Sequence, residues 1–135
     1  MDWIEGEYLI SNDKSKLSID RVHELLLQSY WAHKRPKDKI EASIRNSICY
    51  GVYHHGKQVG FGRVVTDYAT MYWVCDIFID KEHRGKGLGK KLVKCIIETE
   101  QLKGLFGILS TKDAHGLYEK FGFKKEPDKF MSRDP

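Results

Sequence analysis

A chain of 135 residues, 41% of them hydrophobic, suits one compact domain with one core and is too short for two ordinary domains, so a single site must do the work. Twenty-three Lys and Arg against 19 Asp and Glu give a formal charge of +4, a bias toward anionic ligands that falls short of a basic nucleic-acid tail. The acidic start Met1-Asp2-Trp3-Ile4-Glu5-Gly6-Glu7 lacks an apolar h-region, and no run approaches the ~18 apolar residues of a membrane span, so a soluble cytoplasmic protein without a membrane partner is expected.

In chain order, residues 7–11 read as a first strand. Val22, Leu25, Leu26 and Tyr30 recur at helical spacing and predict a helix over 19–31 with Asp20 near its start. Pro36 ends what precedes it, and Ile40, Ile44 and Ile48 predict a second, adjacent helix over 37–47. Residues 49–54 and 58–66 form a hairpin about His55-Gly56-Lys57, and a third β-run covers 71–79 after the turn Asp67-Tyr68-Ala69-Thr70. Leu88, Leu92, Val93, Ile96 and Ile97 mark a helix that reaches Lys103-Gly104. A strand over 105–110, a short helix over 114–121 stopped by Gly122 and a last strand over 123–131 complete the set. The order β, α, α, β, β, β, α, β, α, β is α+β: a mixed, mostly antiparallel sheet flanked by helices, with one parallel strand-helix-strand unit over 71–110. No repeat or linker divides it, so residues 1–135 are read as one domain. Cys49, Cys75 and Cys95 are odd in number, far apart and in apolar surroundings, hence reduced core residues, and the six histidines show no metal-ligand spacing, so no metal is expected.

The strand ending at Ile79 is followed by Asp80-Lys81-Glu82-His83 and then Arg84-Gly85-Lys86-Gly87-Leu88-Gly89, which opens a helix. Glycines leave room for backbone N–H groups to face a phosphate at the positive end of a helix, and Lys86, Lys90 and Lys91 add charge. A P-loop is excluded because Gly85 and Gly89 are one residue too close and Lys90 is followed by Lys91. The dinucleotide fingerprint is excluded too, because from Gly85 it needs a third glycine where Lys90 stands.

The run Ile77-Phe78-Ile79 through Arg84-Gly85-Lys86-Gly87-Leu88-Gly89-Lys90 resembles motif A of the GCN5-related N-acetyltransferases, Arg/Gln-x-x-Gly-x-Gly/Ala, and Thr111-Lys112-Asp113-Ala114-His115-Gly116-Leu117-Tyr118 with Phe121-Gly122-Phe123 resembles their motif B. The element order is similar to that family from residue 7 to about 131, although only some forty residues carry its specific signatures. The resemblance implies the acyl-CoA N-acyltransferase fold, in which a parallel pair of strands splays apart beside the glycine turn, and acetyl-CoA as co-substrate. It implies that backbone groups of Ile77, Phe78 and Ile79 pair with the pantetheine arm, and that Arg84, Gly85, Lys86, Gly87, Leu88, Gly89 and Lys90 hold the pyrophosphate. By the same resemblance Tyr118 protonates the departing thiolate, and Thr111 stands where the family often carries Asn and makes that hydrogen bond less fully. The oxyanion falls to a backbone N–H near Phe78 or Ile79.

An amine of pKa ~10.4 costs about 4.6 kcal/mol to neutralise at pH 7, so a base or desolvation must offset it. Asp76, a carboxylate within an apolar strand, is the favoured base, acting through water, unless it instead pairs with a basic residue; Asp67 is a second candidate in a turn-like segment. Asp113 is a candidate N-cap for the late helix, and His115 reads as a surface residue. Tyr30 and Trp31 either line the acceptor pocket or cap the core. The expected activity is acetyl transfer to a primary amine of a small molecule or peptide, with a non-catalytic acyl-CoA sensor of the same fold as the alternative. No nucleic-acid partner is expected, and the oligomeric state stays open between monomer and homodimer.

Overall fold

The computed structural model describes all of residues 1–135. Strands β1 (Asp2–Glu5), β2 (Tyr8–Ser11), β3 (Ile48–His54), β4 (Lys57–Thr66), β5 (Met71–Ile79) and β6 (Phe106–Leu109) lie side by side in that order in one sheet. Every neighbouring pair is antiparallel except β5 and β6, which are parallel. Helices α1 (Ile19–Leu27) and α2 (Lys37–Arg45) follow β2, α3 (Leu88–Ile97) follows β5 and α4 (His115–Glu119) follows β6.

Local chemistry explains most boundaries. The β3–β4 turn places His55 and Gly56 at φ 49 and 82, the doubly left-handed pair of a tight hairpin whose twist matches its strands. Between β4 and β5 the Asp67 carboxylate accepts the N–H groups of Ala69 and Thr70 at 2.9 and 2.7 Å and closes the turn. Ser18 caps α1 by accepting the Arg21 N–H at 3.2 Å. The sheet is covered on both faces. Val22, Leu25 and Leu26 of α1 with Ile40 and Ile44 of α2 bury Cys49, Phe61 and Phe78 on one face; Leu88, Leu92, Cys95 and Ile96 of α3 bury Tyr50, Val52, Val64, Tyr72, Val74 and Ile79 on the other. No helix is long and apolar enough to cross a membrane.

The α+β class and the span of β5 match the sequence reading, three expectations are corrected and one strand is added. The predicted strand over 123–131 does not form, which leaves β6 at the sheet edge: Lys124, Lys125, Glu126 and Asp128 around Pro127 offer no alternating apolar face. The first helix stops at Leu27 instead of Trp31, because Ser29 Oγ donates to the Leu26 carbonyl at 2.7 Å and accepts the Ala32 N–H at 3.0 Å, diverting the ladder into turns. The glycine-turn helix stops at Ile97, where Thr99 Oγ1 bonds back to the Cys95 carbonyl at 2.9 Å and a 3-10 turn, Glu100–Leu102, carries the chain to Gly104. Strand β1 escaped the sequence reading because it is four residues long with a charge at each end. The three cysteines are free, with Cys49 and Cys95 buried and Cys75 half-buried; burial pushes the first two thiols up to about 11 and about 12.

Leu92 is 0% exposed at the centre of the α3 face. Leu92→Ala is expected to cost about 2–5 kcal/mol in urea unfolding, whereas Phe106→Ser, at an exposed position of β6, changes stability by less than about 0.5 kcal/mol; equal effects would contradict this packing.

Candidate active site

The site begins with one extra residue. Opposite β4 the register runs Phe61↔Phe78 and then Arg63↔Cys75, so Gly62 faces both Asp76 and Ile77 in a β-bulge. Tyr72 and Val74 face α3 before the bulge, and Ile77 and Ile79 face it afterwards, so the bulge inverts the alternation of β5 and turns Phe78 toward α1. Asp76 takes up the irregularity at φ 51, a left-handed conformation that costs a non-glycine residue roughly 1–2 kcal/mol. At the same point β5 leaves its parallel neighbour: pairing with β6 runs from Met71↔Phe106 to Val74↔Leu109 and stops. Residues 75–79 therefore present a backbone edge without a strand partner on that side.

The Asp76 side chain, 3% exposed, is held from three directions. Its Oδ1 accepts from Trp31 Nε1 at 2.9 Å, and its Oδ2 accepts from Arg35 at 2.7 Å and from Arg63 Nε at 2.8 Å. Burial opposes the charge, but hydrogen bonds from Arg35 and Arg63 and their positive fields outweigh it, holding the carboxyl below the ordinary aspartate range. A carboxylate so engaged is a weak base. Asp67 is spent in its turn, where bonds from Thr70, Ala69 and Met71 hold it far below the usual range.

The glycine turn lies directly past the open edge. Gly85 and Gly87 adopt φ 79 and 77, and no atom lies within 4 Å of where a Cβ would stand at either, so the turn needs glycine for its backbone conformation and for open approach. Gly87 caps α3 with no side chain, and the first helical bond runs from the Lys91 N–H to the Gly87 carbonyl, so the N–H groups of Leu88, Gly89 and Lys90 point out of the helix end. Arg84 donates through Nε to the Ile79 carbonyl at 2.8 Å and lays its guanidinium 4.8 Å from the Phe78 ring centre, tying the turn to the end of β5. Lys86 reaches the Tyr8 hydroxyl at 3.3 Å.

Tyr118 of α4 is 8% exposed, packs edge-on against Phe123 at 5.9 Å and is pushed up to about 12 by burial. Thr111 Oγ1 accepts the Ala114 N–H at 3.1 Å just ahead of α4, and the capping role expected of Asp113 is not filled: Ala114 is the N-cap and no side chain caps the helix. Tyr30 and Trp31, 54% and 42% exposed, stand edge to face at 5.0 Å. Trp31 touches Phe78 as well as Asp76, and Lys112, just past β6, sits 5.4 Å above the Tyr30 ring. The loop between α1 and α2 thus spans from the bulge of β5 to the segment after β6. The partners Arg35 and Arg63 were missed by sequence reasoning; pairing the β4 and β5 runs residue by residue would have set Arg63 beside the bulge. A surface cavity of about 470 Å³ lined by Met1, Trp3, Asn12, Thr99, Glu100 and Gln101 contains none of these residues.

Comparison with known proteins agrees with this arrangement. The acetyltransferase (GNAT) domain model matches residues 45–125. A crystal structure of a Xanthomonas campestris protein assigned to the GNAT acetyltransferases superposes with a TM-score of 0.89 at 38% identity, covering 95% of this chain and 93% of that one. A Gibberella zeae protein described as an acetyltransferase is 29% identical over 120 residues, 74% of this chain and 68% of its own. A GNAT acetyltransferase of Elizabethkingia anophelis with acetyl-CoA bound shares the fold at 18% identity, with a TM-score of 0.68 over 89% of this chain and 78% of its own.

Because the folded pKa of Asp76 is lowered, its stabilisation is complete above the unfolded value of ~3.9 and is lost as pH falls through that value toward the folded one. Asp76→Asn leaves two arginines without their shared counter-charge and is expected to cost about 3 kcal/mol at pH 7. In urea titrations from pH 7 to 3 the gap to the parent protein should narrow below about pH 4; a constant gap would show that the carboxylate charge contributes nothing.

Proposed function

The chain belongs to the GNAT acetyltransferases and is an acyltransferase, and from that premise we propose that it transfers the acetyl group of acetyl-CoA to a primary amine of a small molecule or peptide by direct attack on the thioester. The observation that carries the proposal is the unpaired edge of β5 over residues 75–79 ending beside the open start of α3. An extended amide-bearing arm fits an unpaired strand edge, and a pyrophosphate fits a helix start with free N–H groups; coenzyme A joins the two. On this reading Ile77, Phe78 and Ile79 receive the pantetheine arm through their backbones, and a backbone N–H of Phe78 or Ile79 meets the oxyanion. The turn from Gly85 to Lys90 holds the pyrophosphate, and Arg84 fixes its orientation against Ile79. Residues 1–135 are taken as one N-acetyltransferase domain acting in the cytoplasm.

The attacking nitrogen forms the C–N bond, the C–S bond breaks, and the proton lost by the amine balances the thiolate that leaves. A phenol held at about 12 stays protonated at neutral pH but is a weaker acid than a thiol near ~8.5, so complete transfer from Tyr118 to sulfur would be uphill by several kcal/mol. Its assigned role is to donate a hydrogen bond to the departing sulfur. Asp76, expected as general base, is assigned a positioning role because both oxygens are occupied and its basicity is reduced. The amine then reacts as its neutral fraction, desolvated between Tyr30, Trp31 and the β5 edge, so turnover should rise with pH toward the amine's own pKa.

Acetyl-CoA at ~100 times its dissociation constant should add about 2.7 kcal/mol to stability, a shift of several degrees in the unfolding midpoint, and Gly87→Val should remove most of that shift. No shift in the parent protein would overturn the proposal. Tyr118→Phe is expected to lower kcat by about tenfold or more while acetyl-CoA affinity changes by less than about twofold; unchanged turnover would remove Tyr118 from the reaction.

A further inference from the structure

The antiparallel register that pairs Tyr8 with His54 sets Glu7, one residue earlier, beside His55, one residue later. Side chains of consecutive strand residues ordinarily point to opposite faces, but His55 sits at φ 49 in the hairpin turn, and its ring comes back to within 4.1 Å of the His54 ring. Glu7 lies against both, its carboxylate oxygens 3.5 Å from His54 Nε2 and 3.7 Å from His55 Nε2. One ligand atom from each of the three residues falls within 4.8 Å of the others. The edge of a tetrahedron with metal–ligand bonds of ~2.0–2.1 Å is about 3.3–3.4 Å; the two Glu7–His separations, made by different carboxylate oxygens, lie close to it, and contraction of the 4.8 Å span to that edge needs only rotation of exposed side chains.

The cluster has backing. The Tyr8 ring packs on His54 at 4.8 Å, the His83 ring at 5.1 Å, and the Tyr8 hydroxyl bonds His83 Nδ1 at 2.9 Å, so His54 is held from two sides by groups that are themselves fixed. Two imidazoles, which ligate in their neutral form, and one carboxylate suit a borderline divalent cation such as Zn²⁺ and leave a fourth position for water.

We propose that Glu7, His54 and His55 form a Zn²⁺-class binding site at the corner of β2, β3 and β4, linked through His54 and His83 to the segment that enters the glycine turn. The absence of a metal was expected from histidine spacing along the chain; Glu7 is brought in across the sheet, where spacing carries no signal. The site stands apart from the acetyl-CoA reading and does not depend on it.

Calorimetric titration of the untagged 135-residue chain with Zn²⁺ alone tests it. One ion per chain is expected, with affinity reduced by about tenfold or more in Glu7→Gln and in His55→Asn. Asn tolerates the left-handed turn, so the second variant keeps the hairpin, which a thermal melt verifies. His33→Asn, at an exposed histidine of the α1–α2 loop, should bind as the parent does. Absence of saturable one-to-one binding, or binding that survives both Glu7→Gln and His55→Asn, overturns the proposal.

Discussion

The Asp76 carboxylate and its two arginines support the geometry on which the rest of the site depends. A bulge gives β5 one residue more than β4 can pair, and that residue is forced into a left-handed conformation unfavourable for any side chain. Strain of ~1–2 kcal/mol persists only where neighbours over-determine it. Arg63 comes from the adjacent strand, Arg35 and Trp31 from the loop beyond α1, and together they hold the carboxylate from both sides of the bulge. Remove the bulge, and Ile77, Phe78 and Ile79 exchange faces: Phe78 leaves the α1 core and the two isoleucines turn away from α3.

The same irregularity accounts for the opening. Two parallel strands continue side by side when their twists match, and the added twist of a bulge ends pairing at Val74↔Leu109. With its β4 side still bonded at Phe78 and Ile79, the strand is rigid enough to offer the other side to a ligand. Arg84 then locks the glycine turn to the Ile79 carbonyl, so the free edge and the helix start move as one body. Preorganisation of this kind lowers the ordering cost of binding a long flexible donor.

The legible parts of the sequence were those written in local chemistry. Periodicity found all four helices and five of the six strands, and the spacing of Gly85 and Gly87 identified the helix start, because positive φ and close approach leave a signature in residue type. Asp76 stood out as a charge among Trp73, Val74, Cys75 and Phe78, but its part was hidden because Arg35 and Arg63 reach it across the sheet and from a loop. Segment 123–131 misled for the opposite reason: Phe123, Phe130 and Met131 suggest a strand, yet the charged residues between them supply no face to bury. Glu7 and the two histidines of the hairpin tip show the same limit, since only strand register joins positions so far apart in the chain.

Donor and acceptor sides differ in what they are made of. On the proposed reading the donor side is backbone: an unpaired strand edge and a helix start whose recognition groups are the same whatever side chains stand nearby, provided glycine occupies the turn. The acceptor side, on the proposed reading, is made of side chains: Tyr30 and Trp31 on a loop secured at one end by Asp76 and at the other by Lys112. Substitutions along that loop can change what is bound without touching the donor edge, as long as Trp31 and Arg35 keep their hold on the carboxylate. On that reading the bulge serves both sides at once, opening the sheet for the donor and anchoring the loop that meets the acceptor.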